Sequence, residues 1–228
     1  MTSSSNLARE AIAILSKDVK SEFRTRYALS AVLLFAVTAL AVVSFSVSPY
    51  SLEADAQSAF LWTVLFFSAM SGLSRSFVRE EESHTAMALR MCAAPEAVFI
   101  GKLLFNMALQ GAVAVIVLPL FLVLLDIQGA HLGLFAAAAA LGTLALASSS
   151  TIIAAIVSRA NAKGALFAVL AFPVTLPGLS SAVRATTVAL RGTGSAVGTA
   201  RGDLLALAAY SALMIASSLL LFDYVWND

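Results

Sequence analysis

The most polar part of this 228-residue chain holds five closely spaced charged residues: Arg79, Glu80, Glu81, Glu82 and Arg90. Apolar residues recur at helical spacing between and around these charges, so the segment predicts a short polar helix. The alternative is a solvated charged loop, which is the commoner fate of such a run. Pro95 is expected to interrupt the segment before an apolar stretch begins near Lys102.

Few residues are suited to catalysis or to metal binding. Ser148–Ser150 offer hydroxyl groups, but no His or acidic residue lies in the apolar segments to activate a nucleophile. His84 and His131 could each contact haem iron, yet they belong to loops on opposite sides of the predicted membrane, and a solvated or capping role is expected for both. Cys92 is the single cysteine, which excludes an intrachain disulfide. We therefore predict no catalytic and no metal-binding residues.

The chain lacks the loop that an ATP-hydrolysing protein needs. Neither Gly101-Lys102 nor Lys163-Gly164 occurs within a Gly-x4-Gly-Lys-Ser/Thr motif, so the chain is not expected to hydrolyse ATP by itself. The apolar segments contain no ionisable residue, which argues against an ion-coupled transporter. A net charge of +1 without a basic patch also argues against nucleic-acid binding.

Six apolar runs of the sequence are the elements that would position the polar residues described above. Hydrophobic residues make up 60% of the chain and charged residues 12%, whereas soluble domains carry about 25% charged residues. A helix rises about 1.5 Å per residue, so roughly 20 apolar residues cross the ~30 Å hydrocarbon core. The sequence predicts an all-α membrane protein with a single transmembrane domain. Its six spans are expected at about 27–52, 56–78, 103–125, 132–158, 164–183 and 204–222.

The distribution of basic residues predicts the orientation. Of the 14 Lys and Arg residues, 11 lie in the N-terminal arm and in the loops after spans 2 and 4. The positive-inside rule then places both termini in the cytoplasm. The polar arm is too long and too charged for a signal peptide, and its apolar residues recur every four positions. It predicts an amphipathic helix over about 5–26 at the inner membrane surface, although a soluble partner could instead cover its apolar face.

Two further features concern the interior and the outer side. Pro173 and Pro177 lie four residues apart in span 5, a spacing that predicts a kink or a break in this helix. Residues 180–202 are too polar for a span, and they predict a pair of short re-entrant or interfacial helices on the outer side. Asn106 and Gln110 lie one turn apart in span 3, where interhelical hydrogen bonds are expected.

Three stretches resemble a known family. Residues Phe77 to Leu89 are similar to its Phe-x-x-acidic run followed by Ser/Thr and Leu, and Pro95 to Lys102 match its Pro then Gly/Ala-Lys entry into span 3. Pro173-Val-Thr-Leu-Pro177 is similar to its Leu-Pro-x-x-x-Pro pattern. The chain thus resembles the type-2 ABC exporter permeases and, among them, haem exporter protein B, the CcmB family of cytochrome c maturation. His84 departs from this pattern, because the family often has Gly there.

The resemblance implies a permease subunit of an ATP-driven complex in the bacterial inner membrane. It implies that the chain forms a homodimer. It also implies four kinds of partner: a CcmA-like ATPase subunit, CcmC-like and CcmD-like membrane proteins, and a CcmE-like haem chaperone. ATP would bind the ATPase subunit, haem is a possible cargo, and the chain itself would bind no cofactor. The coupling segment, residues 79–101, would dock on the ATPase through the five charged residues named first and transmit its closure to spans 2 and 5.

Several functions remain open at this point. The resemblance fits export of haem, and it fits equally an ATP-driven release of haem-loaded chaperone from its assembly complex. A type-2 permease for another cargo, such as a lipid-linked glycan or a drug, is the first alternative. A membrane assembly factor that transports nothing is the second.

Overall fold

The computed structural model describes residues 4–25, 27–46, 52–73, 75–82, 85–158, 163–192 and 196–227. Within these ranges the chain is helical apart from short connections, and no strand occurs. The described helices are α1 (Ser4–Thr25), α2 (Tyr27–Ser46), α3 (Ala54–Leu73), α4 (Arg75–Glu82), α5 (Ala86–Cys92), α6 (Pro95–Leu124), α7 (Leu132–Val157), α8 (Lys163–Arg191) and α9 (Ala196–Asn227). The predicted all-α architecture is confirmed.

Four of the described helices are long and apolar enough to cross a membrane. They are α2 from Leu29 to Ser46, α6, α7, and α9 from Val197 to Trp226. These helices coincide with the spans predicted at 27–52, 103–125, 132–158 and 204–222. The spans predicted at 56–78 and 164–183 correspond to α3 and α8 and are not confirmed. Polar residues interrupt both helices, near the start of α3 and through the second half of α8.

The predicted pair of short helices over 180–202 has a different form in the structure. Residues 180–191 continue α8 without interruption, and α9 begins at Ala196. Gly192 follows α8 with φ +62°, and a Cβ on it would lie 2.1 Å from the Gly129 carbonyl oxygen. Only glycine fits this position, because an L side chain is both strained at positive φ and blocked by that oxygen. The serine and threonine residues after position 180 do not end α8, because their side chains are compatible with a helix that packs against its neighbours.

Pro173 and Pro177 both lie inside α8, so the helix is not broken at either residue. A kink there remains a prediction. Each proline removes one backbone N–H from the helix, and side chains supply hydrogen bonds nearby. The Tyr210 hydroxyl of α9 donates to the Val174 carbonyl between the two prolines, with 2.6 Å from Oη to O. Gly178 admits the tyrosine ring, because a Cβ there would lie 2.9 Å from the Tyr210 Cε1 atom.

Helices α2 and α6 run parallel with a fixed register. Leu29 and Leu109 line the same cleft, and the Ser44 hydroxyl donates to the Leu124 carbonyl at 2.9 Å. Both pairs differ by 80 in residue number, so the start of α2 at Tyr27 lies level with about residue 107 of α6. Helix α6 has 30 residues and is therefore about 45 Å long. Its first dozen residues extend beyond the start of α2, and α1 packs along this extension.

Helix α7 occupies the centre of the bundle and contacts α3, α6, α8 and α9. Asn106 of α6 donates to the Thr151 hydroxyl of α7 at 2.9 Å, and Gln110 donates to the Leu65 carbonyl of α3 at 3.1 Å. The predicted interhelical hydrogen bonds are thus confirmed. They satisfy amide groups that would otherwise be costly to bury.

Gly142 of α7 lies directly beneath the ring of Trp62, whose Nε1 donates to the Thr186 hydroxyl of α8 at 2.9 Å. A Cβ on Gly142 would be 2.0 Å from Trp62 Cη2, so Gly142→Ala must displace a buried ring that three helices hold. We expect this variant to lower the free energy of unfolding by about 1–3 kcal/mol, measured by thermal unfolding in detergent. Gly111→Ala is the matched control, because nothing lies within 4 Å of its Cβ position. Equal stability of the two variants would contradict the packing described.

Candidate functional site

Four charged side chains from three helices meet beside the polar segment. They are Lys17 and Asp18 of α1, Glu80 of α4 and Lys102 of α6. The Lys102 ammonium lies 2.7 Å from Glu80 Oε1 and 2.8 Å from Asp18 Oδ2. Lys17 also contacts Glu80 Oε1. These four residues, called the ion cluster below, carry two positive and two negative charges.

Three of the four side chains of the ion cluster are buried, whereas that of Lys17 is 46% exposed. The side chain of Lys102 is 2% exposed, that of Glu80 8% and that of Asp18 10%. A charge at this depth is tolerated only when it is paired and hydrogen-bonded, because removal from water costs several kcal/mol per ion. Thr85 satisfies the second carboxylate oxygen of Glu80, donating from Oγ1 at 2.6 Å. The Thr85 N–H also donates to the Glu80 carbonyl at 3.0 Å, which brings the two residues together after α4.

The surroundings of Glu80 keep its carboxylate ionised. Burial by itself raises the pKa of Glu80, but the positive charge of Lys102 and the hydrogen bonds from Lys102, Lys17 and Thr85 together outweigh burial. They lower the pKa from 4.5 to about 2. The Glu80 carboxylate is therefore ionised at neutral pH.

Close backbone packing supports the ion cluster from one side. A Cβ on Gly101 of α6 would lie 2.8 Å from Ile14 Cβ and 2.9 Å from the Ala11 carbonyl oxygen, so only glycine lets α1 approach this closely. About two turns earlier, the N–H of Ala94, the residue just before α6, donates to Glu10 Oε2 at 3.1 Å. Helix α1 is thus fixed to α6 along its length, and its apolar face is partly covered by this chain.

Aromatic rings support the ion cluster from the other side. Phe77 of α4 lies beside Lys102, with 5.8 Å from Nζ to the ring centroid. Its ring packs against Phe222 and Trp226 of α9, at centroid distances of 5.7 and 6.0 Å. Arg90 of α5 lies over the Trp226 ring at 5.1 Å. The polar segment therefore contacts α1, α6 and the end of α9 together.

The structure separates the five charged residues of the predicted docking surface. Glu80 is buried and contacts α1 and α6. Arg90 Nη2 lies 3.6 Å from Glu81 Oε1, and both side chains are half-buried. Glu82 is exposed. Arg79 belongs to α4, but its side chain is outside the described part of the structure.

The two histidines have different outcomes. His84 lies outside the described residues. His131 precedes α7, and its Nδ1 accepts the Leu134 N–H at 3.1 Å, so the capping role expected for it is confirmed. No group of three His, Cys, Asp or Glu side chains suited to a metal ion occurs among the described residues.

Sequence reasoning missed Lys17, Asp18 and Lys102 as site residues. One signal was available, because Lys102 is the last charged residue before a run of apolar residues long enough to span a membrane. A cation at that position needs either water or an acidic partner. Its partners lie 84 and 22 positions away in the sequence, and no local pattern identifies them.

Apolar helices of spanning length and a buried ion cluster at one end of the bundle define a multi-pass membrane protein with a polar segment held against its spans. The model of the CcmB protein family matches residues 9–221. The chain therefore belongs to the CcmB family, a membrane permease component of the ABC transporter for haem and cytochrome c maturation. The resemblance found in the sequence is confirmed. No curated protein matches the chain.

The ion cluster predicts that Glu80→Gln destabilises the protein. The variant keeps the shape of the side chain but leaves the buried Lys102 with a single carboxylate partner at bonding distance. We expect the free energy of unfolding at pH 7 to fall by about 2 kcal/mol, the usual value for a lost hydrogen bond to a charged group, measured by thermal unfolding in detergent. Glu82→Gln, at an exposed position of the same helix, should stay within about 0.5 kcal/mol of the unchanged protein.

The ion pair of Glu80 with Lys102 also predicts how the stability depends on pH. The folded-state pKa of Glu80 lies below its ordinary value, so its contribution is complete above about pH 4.5 and is lost as the pH falls toward 2. The stability difference between the unchanged protein and Glu80→Gln should therefore be constant from pH 7 to 5 and shrink below pH 4.5. A difference that stays constant down to pH 3 would contradict the assignment.

Proposed function

We propose that this chain is the force-transmitting permease subunit of an ATP-driven complex in cytochrome c maturation. Membership of the CcmB family supports the process. The ion cluster supports the mechanical role, because it joins α4, within the coupling segment of residues 79–101, to the body of α6 through the buried Lys102 and to α1 through Lys17. In this proposal ATP is bound and hydrolysed by a separate CcmA-like subunit, and this chain is not itself an enzyme.

The proposed docking surface for the ATPase is the exposed face of the coupling segment, away from the ion cluster. Met87 and Met91 of α5 are 66% and 77% exposed, and the exposed Glu82 lies just before that helix. Methionine side chains adapt to varied partners, and a patch of apolar residues with a charged rim is typical of protein interfaces. Glu81 and Arg90 form part of this rim, and we also assign Arg79 to it. Glu80 acts from within, because its carboxylate contacts this chain.

The contacts of α4 support a particular route for movement. Displacement of α4 acts on α6 through Glu80 and Lys102, and on α1 through Glu80 and Lys17. Phe77 adds a contact with α9, and α4 also packs on α7. The route expected from the resemblance passed to spans 2 and 5, which correspond to α3 and α8. We propose α6 as the first recipient, because separation of the buried Glu80 and Lys102 would leave a buried charge without this partner. Helix α1 follows through Lys17 and through the pair of Asp18 with Lys102.

The remaining architecture is part of the proposal. Helices α3 and α8 would complete six spans in the type-2 exporter arrangement, in one transmembrane domain of the bacterial inner membrane with both termini cytoplasmic. The ends of α8 and α9 would form the outer hairpin, and a kink would lie at Pro173 and Pro177. The partners would be a CcmC-like and a CcmD-like membrane protein, a CcmE-like haem chaperone and a second copy of the chain. The work done on this assembly would be either haem export or release of haem-loaded chaperone.

The role in cytochrome c maturation predicts a specific deficiency. Cells that lack this gene should contain no covalent c-type cytochromes, and a plasmid carrying the chain should restore them, because no other subunit would transmit ATP-driven movement. Haem-stained gels of membrane and periplasmic fractions measure this. Persistence of the cytochromes would remove the role in maturation and favour a permease for another cargo.

The docking surface predicts the effect of charge reversal. Glu81→Lys combined with Glu82→Lys should reduce co-purification of the CcmA-like ATPase at least tenfold and abolish restoration of the cytochromes, because rim charges select partners and repel wrong ones. Arg201→Glu is the control, an exposed reversal near the start of α9 and away from the coupling segment, and should leave both readouts unchanged. Full co-purification of the ATPase with the double variant would mean that the ATPase docks elsewhere. If the unchanged protein co-purifies with no ATPase at all, an assembly factor is favoured instead.

A further inference from the structure

A cleft of about 180 Å³ lies between α1, α2 and α6. Seven of its eight lining residues are apolar, and the eighth is an acid. The lining residues are Val19, Glu22, Phe23, Leu29, Phe105, Ala108, Leu109 and Ala112. None of them belongs to the ion cluster or to the proposed docking surface, so the cleft is independent of the proposed function.

The register of α2 and α6 gives the depth of the cleft. Helix α2 begins level with about residue 107 of α6, and the cleft extends from residue 105 to residue 112 of that helix. The cleft therefore lies where the apolar helix α2 starts. Lys102 precedes it by one turn, and only uncharged residues follow on α6. A position between the last charged residue and the apolar part of the span corresponds to the boundary between lipid headgroups and acyl chains.

Water is a poor occupant of this cleft. A bound water needs two to four polar partners, and this half-open cleft has an almost entirely apolar lining. In this cleft only Glu22 offers a charged side chain, and its Oε1 already accepts the Leu29 N–H at 3.0 Å. At this depth in a membrane, the apolar groups present at high concentration are lipid acyl chains.

The charges around the cleft indicate the headgroup. Glu22 is half-buried at the lining and places a carboxylate there. Lys20 and Arg24 do not line the cleft, but they are exposed and follow the lining residues Val19 and Phe23 directly in α1. A zwitterionic headgroup with a primary ammonium beside Glu22 and a phosphate near Lys20 and Arg24 matches this arrangement. We propose that the cleft binds one acyl chain of an aminophospholipid of the phosphatidylethanolamine type, which holds α1 against the spans.

A photo-crosslinking experiment on the full chain tests this site. The protein is reconstituted in vesicles of phosphatidylethanolamine and phosphatidylglycerol, with a trace of phosphatidylethanolamine that carries a diazirine in its acyl chain. We expect labelled peptides to map to residues 105–112 of α6 and to Phe23. Labelling spread evenly over the exposed faces of α2, α6 and α9 would overturn the proposal, as would crosslinks between two copies of the chain through the cleft.

Variants that fill the cleft sharpen the test. Ala112→Phe and Ala108→Phe each place a ring in the cleft and should reduce labelling at residues 105–112 at least fivefold. Val115→Phe is the matched control, because Val115 is 73% exposed on the same helix and does not line the cleft. Its labelling should equal that of the unchanged protein. Equal labelling of all variants would exclude the cleft as the binding site.

The headgroup is tested by changing the probe and by changing Glu22. A phosphatidylglycerol probe with the same diazirine chain should label the unchanged protein at least threefold less than the phosphatidylethanolamine probe. Glu22→Gln should remove that preference. Equal labelling of the unchanged protein by the two probes would overturn the headgroup assignment. These comparisons need only the unchanged protein and a single polar variant, so they decide the matter even if a phenylalanine variant fails to fold.

Discussion

The pairing of Lys102 with Glu80 and Asp18 constrains the polar end of the bundle. A lysine that is 2% exposed must be neutralised by its neighbours, so α1 and α4 are both required to lie against α6. The close approach at Gly101 and the hydrogen bond from Ala94 to Glu10 follow from the same placement of α1. Because the attraction is electrostatic and buried, salt in solution screens it only weakly. Helix α4 is therefore a fixed part of the fold, not a segment that orders only when a partner binds.

Much of the fold was predictable, because helix surfaces that contact lipid and helix surfaces that contact the protein interior must both be apolar. The runs that became α2, α6, α7 and most of α9 are apolar over a sufficient length, and the four-residue period of α1 predicted its amphipathic face. The hydrogen bonds of Asn106 and Gln110 followed from polar amides in an apolar helix. These features depend on local composition, which a single sequence contains.

The parts that were not predictable depend on long-range contacts. The acidic run from Glu80 to Glu82 is uniform in sequence, yet its first member is buried and its last is exposed, because only Glu80 faces Lys102. Likewise the residues after 180 have too many hydroxyl groups for a typical span, but α8 continues through them because α3, α7 and α9 pack against it. The mixture of small and polar residues after position 180 therefore does not predict where α8 ends.

The length of α6 has a geometric consequence. A single helix rises about 1.5 Å per residue, so Pro95 lies about 18 Å from the level where α2 begins, near residue 107. Pro119, inside the same helix, lies about 18 Å on the other side of that level. The helix continues past Pro119 to Leu124, so its arm on that side is about 26 Å long, against about 18 Å on the side of Pro95. If α6 tilts as a rigid rod about this level, a sideways displacement of its first turn reappears near Pro119 at the same size and in the opposite direction, and it is larger at Leu124.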